Sequence, residues 1–344
     1  MTQYISTGAA EWQPNFSISV EDTDITNEIR ENLINMTITD YGGDQKKSDQ
    51  ISISIVSEKL QIPKKGAKLS VAIGFGQDLV SKGTYVVDST HSAGSASAPR
   101  VVQIVARAFS KSNAYGHSTL QSQKLRSFSN VTLGDLINTV ATENGLAPRI
   151  PESLANTVLT HVDQIHESDM NMVTRLAAAA GAVSKVTHDY WIITPREATT
   201  TISGKDLPKY TVLRDMTDSW SYHSNSDHPD SSTSGGGTQI ISYYDLGTGT
   251  NKTLTYGSGE PVMHYKMPTL ADAQELAGSF STTSKKKLVG MTVLMPATAE
   301  MLNLTAQSLV TTSGFGTTED RDWHINKLDF SLTPAGFAVN MELE

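Results

Sequence analysis

The chain has 344 residues, 38% hydrophobic and 18% charged, with 36 acidic side chains against 27 basic ones and a formal charge of −9. That length suits two or three domains, the composition excludes wholesale disorder, and the acidic balance makes counterion release on DNA a poor source of affinity. With no cysteine, disulfide frameworks, thiol nucleophiles, cysteine zinc sites and iron–sulfur clusters are excluded.

The first residues offer neither a basic nor an apolar signal segment. No run approaches the ~18 apolar residues of a membrane helix, so the expectation is a soluble chain made in a cytoplasm with no stable membrane association. From residue 15 to 109 apolar and polar residues alternate with the period of half-buried strands. Predicted strands cover Phe16 to Val20, Ile34 to Thr39, Ile51 to Ile55, Leu69 to Ile73, Gly83 to Val87 and Val101 to Ala108. Ile51, Ile53 and Ile55 share one face and Ser52 and Ser54 the other. Gly, Ser and Asp fill the turns between these runs, which points to a barrel or sandwich.

Between about 120 and 197 the period becomes 3.6. Leu133, Leu136, Ile137, Val140 and Ala141 form one helical stripe, ended by Asn144-Gly145. A second helix starts at Ser168 as N-cap, carries Met172, Val173, Leu176, Ala177 and Ala180, and stops at Gly181. Val183 to Val186 and Tyr190 to Ile193 read as a hairpin around His188-Asp189. Strand patterns return from 205, with a hairpin at Gln239 to Tyr244 and Thr253 to Tyr256 after a flexible loop at Ser231 to Gly237. A helix is predicted from Leu270 to Lys286 and strands from Met291 onward.

One unit occurs twice. Gly83 to Val87, a polar turn and Val101 to Ala106 resemble Trp323 to Leu328, a turn at Thr333 to Gly336, and Phe337 to Met341. The reading is mainly β with an α+β insert: residues 1–115 a first β domain, 116–204 the insert, and 205–344 a second β domain with one helix.

No catalytic constellation emerges. His161 and His166 lie five apart beside Glu167, a poor spacing for shared metal ligation on a helix or a strand. Gly74-Phe75-Gly76 lacks the third glycine and the following helix of a phosphate loop, because position 79 is Leu79. There is no nucleophile elbow and no preferred carboxylate pair. The chain is therefore expected to bind or build rather than catalyse, with no cofactor and no metal.

The run Gln164-Ile165-His166-Glu167-Ser168-Asp169, followed by Arg175-Leu176-Ala177 and Gly181-Ala182, resembles the signature of the phage late-control gene D family. Trp323 to Leu328 and Ala335-Gly336-Phe337 are similar to that family's closing hairpin. Asp329 departs from it, standing where the family often has histidine, and so does the long Ser/Gly loop near 230. Members are baseplate hubs of contractile tails, related to the N-terminal hub part of type VI secretion spike proteins. The resemblance implies two tail-tube-like β-barrels per chain with a small helix-hairpin domain between them. It also implies a homotrimer that joins a sixfold tail tube protein to a threefold central spike protein. Further implied partners are the tape-measure protein, baseplate wedge proteins and DNA as passing cargo. The expected location is the virion tail baseplate or a bacteriocin particle, with the piercing tip a separate protein. Gln164, Glu167, Ser168, Asp169, Arg175, Leu176, Gly181, Trp323 and Gly336 are the signature positions, read as structural. The competing readings are a peptidoglycan or glycan hydrolase in a baseplate, and the hub part of a type VI spike.

Overall fold

The computed structural model describes the chain except residues 1–12, 43–46, 110–118, 188, 197, 203, 225–236, 246, 259–261, 271, 275 and 278–288. The N-terminal region runs β1 (Pro14–Val20), a two-residue β2 (Thr23–Asp24), α1 (Thr26–Arg30), β3 (Leu33–Tyr41), β4 (Gln50–Val56), β5 (Lys68–Phe75), β6 (Asp78–Ser95) and β7 (Ala98–Arg107). The middle region runs β8 (Gln123–Thr132), α2 (Leu133–Glu143), β9 (Ala147–Arg149), α3 (Glu152–Ala155), β10 (Val158–Ser168), α4 (Asp169–Ala179), β11 (Ala182–Val186) and β12 (Tyr190–Pro195). The C-terminal region has β13 (Lys209–Leu213), β14 (Ser219–Ser224), β15 (Gly237–Asp245), β16 (Thr250–Ser258) and β17 (Val262–Met267). It ends with β18 (Val289–Pro296), β19 (Leu309–Ser313), β20 (Asp322–Thr333) and β21 (Gly336–Leu343).

Both outer regions belong to one thirteen-stranded sheet. Its order is β14-β18-β21-β20-β3-β4-β7-β6-β5-β1-β2, with β19 beside β20 and β13 beside β19. The join is β20 against β3, where Lys327 to Leu332 pair antiparallel with Tyr41 to Met36. Two of the facing pairs at this join, Phe330 opposite Ile38 and Leu332 opposite Met36, are apolar and buried. One hydrophobic core therefore runs through both regions, from Phe16 to Leu343.

The two arms of the sheet repeat one plan. The first arm has neighbours β3-β4-β7-β6-β5-β1, the second β14-β18-β21-β20-β19-β13. In chain order these strands correspond one to one. Both long strands change partner part-way: β6 leaves β5 for β7 at Val86, and β20 leaves β19 for β21 at Ile325. Each has a bulge just past that change, between Val87 and Ser89 and between Ile325 and Lys327. Bulges fix register and re-aim side chains, so they also align the arms. On that alignment Ile51, Ile53 and Ile55 correspond to Met291, Val293 and Met295, and all six are buried. The hairpin resemblance visible in the sequence is thus one part of a six-strand repeat. The arms differ in one pairing, since β1 runs antiparallel to β5 but β13 parallel to β19.

Two smaller units interrupt this plan. Between the arms, α2 and α4 pack with β11, β12 and β9 around a separate core that includes Ile137, Val140, Met172 and Trp191. Thr132 caps α2 by accepting from the Asp135 N–H, and Ser168 caps α4 by accepting from the Asn171 N–H. Within the second arm, β16-β15-β17 form a separate three-stranded sheet over Ala273 and Ala277. In the sequence that hairpin looks like a continuation of the outer β region. Among the described residues its strands pair only within that small sheet. The predicted loop at Ser231 to Gly237 lies almost wholly outside the described residues. Of the helix predicted from Leu270, the described positions up to Ala277 are helical and the rest lies outside them.

Candidate functional site

The ribbon of β8 and β10 was not predicted, and it carries the most concentrated chemistry in the chain. A bulge between Ile165 and Glu167 interrupts β10, with His166 in a left-handed conformation at φ 49°. The bulge restores Glu167 to the face that Gln164 occupies, opposite Lys124 and Arg126 of β8. Gln164 and Asp169 are both 0% exposed. Asp169, in the first turn of α4, accepts from Lys124 Nζ at 2.6 Å, Arg126 Nη2 at 2.9 Å, Asn144 Nδ2 at 2.8 Å and Gln164 Nε2 at 2.9 Å. Gln164 Oε1 in turn accepts from Arg126 Nε at 2.7 Å. Glu143, at the end of α2, takes the other Arg126 nitrogen at 2.6 and 2.8 Å.

Burial alone pushes the Asp169 carboxyl up. Donors from Lys124, Gln164 and Asn144 outweigh it and hold the group below its ordinary range. Burial likewise opposes Glu143, whose partners Arg126 and Lys124 leave it lowered. The network joins both ribbon strands to both helices, and Lys124, Arg126, Asn144 and Gln164 all donate into it, as a low-dielectric interior requires of buried polar groups.

The other signature positions divide. Glu167 pairs with Arg175 at 2.7 Å, bracing α4 on the ribbon. Leu176 lies in the core of the middle unit and Gly181 ends α4 at φ +64°. Trp323 and Gly336 stand elsewhere, on the second arm. Trp323 is buried, donates from Nε1 to Thr312 Oγ1 at 2.9 Å and lies under Arg321 at 3.9 Å. Gly336 is exposed at the β20–β21 turn. Gly181→Ala is expected to cost about 1 kcal/mol, because its left-handed backbone penalises a Cβ even with open space around it. Gly336→Ala, with ordinary φ and nothing within 4 Å, should be neutral. Thermal denaturation of the two variants checks both.

A second cluster, not foreseen from the sequence, ties the middle unit to the sheet. Lys185 of β11 reaches Asp40 of β3 and also Asp49, at 3.0 Å. Asp40 Oδ2 accepts the Ala306 N–H at 2.9 Å, and Asp49 Oδ1 accepts the Tyr41 N–H at 2.9 Å. Three regions thus meet at one lysine. Burial, with Asp40 adding repulsion, pushes the Asp49 carboxyl up to about 7. Burial would lower Lys185, but the two carboxylates raise it above the ordinary lysine range, so it stays charged. Across the arms, Lys82 of β6 donates to the Leu302 carbonyl at 2.5 Å and lies over the Phe330 ring at 4.0 Å, its amine lowered to about 8 by burial.

His161 bonds Ser129 at 2.8 Å and Asp163 at 3.0 Å. Among the described residues no three His, Asp or Glu side chains converge as metal ligands, and no helix is long and apolar enough to cross a membrane.

Comparison with known proteins agrees with an assembling role. The chain is 26% identical to the probable baseplate hub protein of Escherichia phage P2, over 96% of this chain and 93% of that one. A 43 kDa tail protein of prophage MuSo2 from Shewanella oneidensis has the same fold, with TM-score 0.70 at 12% identity over 96% and 98% of the two chains. An Escherichia coli component of the type VI secretion system is more distant, with TM-score 0.53 at 9% identity over 95% and 76%. The model of the phage tail baseplate hub (GPD) family matches residues 86–335, well over half of the sequence. The chain belongs to the phage tail baseplate hub family.

Proposed function

We propose that this hub works as a homotrimer at the centre of a contractile tail, of a phage or a phage-tail-like bacteriocin. In that position it adapts the sixfold tail tube to the threefold spike. The observation that carries the reading is the six-strand repeat: two equivalent arms per chain, taken three times, supply six equivalent positions. Each arm is read as one tube-type β-barrel, residues 1–115 and 205–344, with 116–204 as the unit between them.

In this reading one face of the ring nucleates the tube protein and the other seats the spike, with the tape-measure end and wedge proteins held around it. The net charge of −9 gives the channel wall a sign that repels DNA phosphate, so that DNA passes without sticking. The Asp169 network is structural, and the Lys185 cluster keeps the middle unit in a fixed pose against the ring.

Mass in solution tests the proposal. Light scattering is expected to give about three times the 37.1 kDa chain mass, and electron microscopy a ring of six like lobes. A strict monomer, both alone and with its cognate spike, would overturn the trimer.

A further inference from the structure

Two histidines that the function leaves unused are brought together by the repeat. Where the arms meet inside the chain, Asp329 of β20 stands directly opposite Thr39 of β3. Their side chains share a face, and Thr39 Oγ1 donates to Asp329 Oδ1 at 2.7 Å. The strand equivalent to β20 in the other arm is β6, and the strand equivalent to β3 is β14. In a ring of equivalent arms, the same contact recurs between copies, with β6 of one beside β14 of the next. Among the described residues both edges are open there: β14 pairs only with β18, and Ser89 to Ser95 only with β7.

The ladders name the residues at that contact. The matching bulges align Ser89 with Lys327, and so His91 with Asp329. Gln103 faces His91 just as Asn340 faces Asp329. On the opposite strand, Ile38 faces Ile51 and Tyr222 faces Met291, which aligns Ile38 with Tyr222, and so Thr39 with His223. Between copies the places of Asp329 and Thr39 are therefore taken by His91 and His223.

Resting on the trimeric hub reading, we infer that His91 of one copy and His223 of the next bind a zinc-class divalent ion between them, one at each junction.

Directly opposed residues of an antiparallel pair have Cβ atoms about 4.5–5.5 Å apart. A tetrahedral ion with Zn–N bonds near 2.1 Å needs its two ring nitrogens roughly 3.4 Å apart, which imidazoles leaning together from that spacing supply. Both histidines are exposed, and neither ring has a hydrogen bond or ion pair among the described residues. No existing bond has to break before they ligate. Their facing neighbours within each arm, Gln103 and Gly290, are uncharged. Gly290 also leaves the His223 ring room: its Cε1 lies 2.5 Å from where a Cβ at 290 would stand. The ring lies over β18 in the single chain and turns toward β6 when a copy docks. Water fills the remaining coordination positions, and the ion leaves in acid, because only a neutral imidazole ligates. Inside the chain the equivalent place is closed, since Asp329 is held by Thr39 and by Lys327 at 2.8 Å. The site therefore belongs to the junctions between copies.

Zinc content tests this directly, because a chain without cysteine has no thiols to compete for the ion. The full-length trimer, dialysed against zinc chloride and checked by light scattering, should hold about one zinc per chain more than His91→Ala or His223→Ala. Both positions are exposed, so the variants should keep the wild-type melting temperature. His161→Ala, at a histidine paired with Asp163, should keep the ion. Zinc should lower the concentration at which the trimer dissociates by roughly tenfold or more, an effect that both junction variants lose. Since the ligands come from different copies, co-expressing the two variant chains should restore zinc at about a quarter of the junctions, where a copy with His91 meets one with His223. A trimer whose zinc content neither substitution lowers overturns the site and leaves the hub reading standing. Zinc lost from both variants and not regained on co-expression would put both ligands in one copy and overturns the bridge. A chain that stays monomeric at every concentration, with zinc and with its spike, overturns the trimer and this inference with it.

Discussion

Asp169→Ala is expected to destabilise the middle unit by about 3–5 kcal/mol, the range for removing one partner from a buried charged cluster. Asp169 is 0% exposed and takes four donors between 2.6 and 2.9 Å. Without it, the carboxylate left pairing with Lys124 and Arg126 is Glu143, which lies nearer the surface. The amides of Asn144 and Gln164 each lose one of two acceptors, keeping the Val140 and Glu167 carbonyls, and each N–H left without a partner carries a desolvation cost. Asp169→Asn separates shape from charge. It keeps the volume but turns an acceptor pair into one acceptor and one donor, so it should also be strongly destabilising. The pH dependence has a definite sign. Asp169 has a depressed folded pKa, so its contribution is present above the unfolded carboxylate value of roughly 4 and lost as pH falls through the folded one. The gap between wild type and Asp169→Asn should therefore narrow in acid. Chemical denaturation at pH 7 and pH 3 measures this; a loss below about 1 kcal/mol at pH 7 would show that the network is not what holds the ribbon to the helices.

That network also shows where sequence reading succeeds and where it stops. Ser168 as cap, Asp169 in the first turn and Gly181 as terminator follow from local rules, and the structure has each in place. Ile51, Ile53 and Ile55 announce β4 because the strand buries one apolar face. The ribbon of β8 and β10 inverts that pattern. It turns Lys124, Arg126 and Gln164 inward, while Leu125 and Ile165, directly opposed, are 72% and 61% exposed. Period-2 reasoning takes the apolar side as the buried side, so it passes over a strand whose buried face is ionic. The bulge at His166 breaks the alternation further. The β6–β7 and β20–β21 hairpins could be matched from their patterns, because a hairpin is local. The join of β3 to β20, by contrast, pairs residues as far apart as Thr39 and Asp329, which also share a 2.7 Å hydrogen bond. Nothing within either segment specifies the other as partner, and the six-strand repeat becomes visible only once that pairing is known.

Lys185→Met should loosen the middle unit from the sheet, with a cost that, like that of Asp169→Asn, shrinks as pH falls. Methionine keeps much of the side chain's length while removing the only charge facing Asp40 and Asp49 among the ion pairs of the described residues. Two carboxylates then share a half-buried site, a cost of about 3 kcal/mol near neutral pH when both stay ionised. With lysine present, burial and Asp40 already push Asp49 up to about 7. Without it, the carboxyl moves higher still, because its main lowering influence is gone. A carboxyl raised on folding contributes stability that is fully present below its unfolded pKa and is lost as pH rises through the folded one. The wild-type junction should therefore weaken modestly as pH rises from 5 to 8. The Lys185→Met deficit should be large at pH 8 and shrink by pH 5, where one carboxyl takes up a proton and can hydrogen-bond the other. Asp49→Asn added to Lys185→Met should recover most of the loss at pH 8, since the amide can still accept the Tyr41 N–H and leaves only one charge. Proteolysis of the connections on either side of the middle unit, followed against pH, reads the junction separately from global unfolding. A deficit equal at pH 5 and pH 8, unrelieved by Asp49→Asn, would mean that Lys185 acts through packing rather than by balancing the two carboxylates.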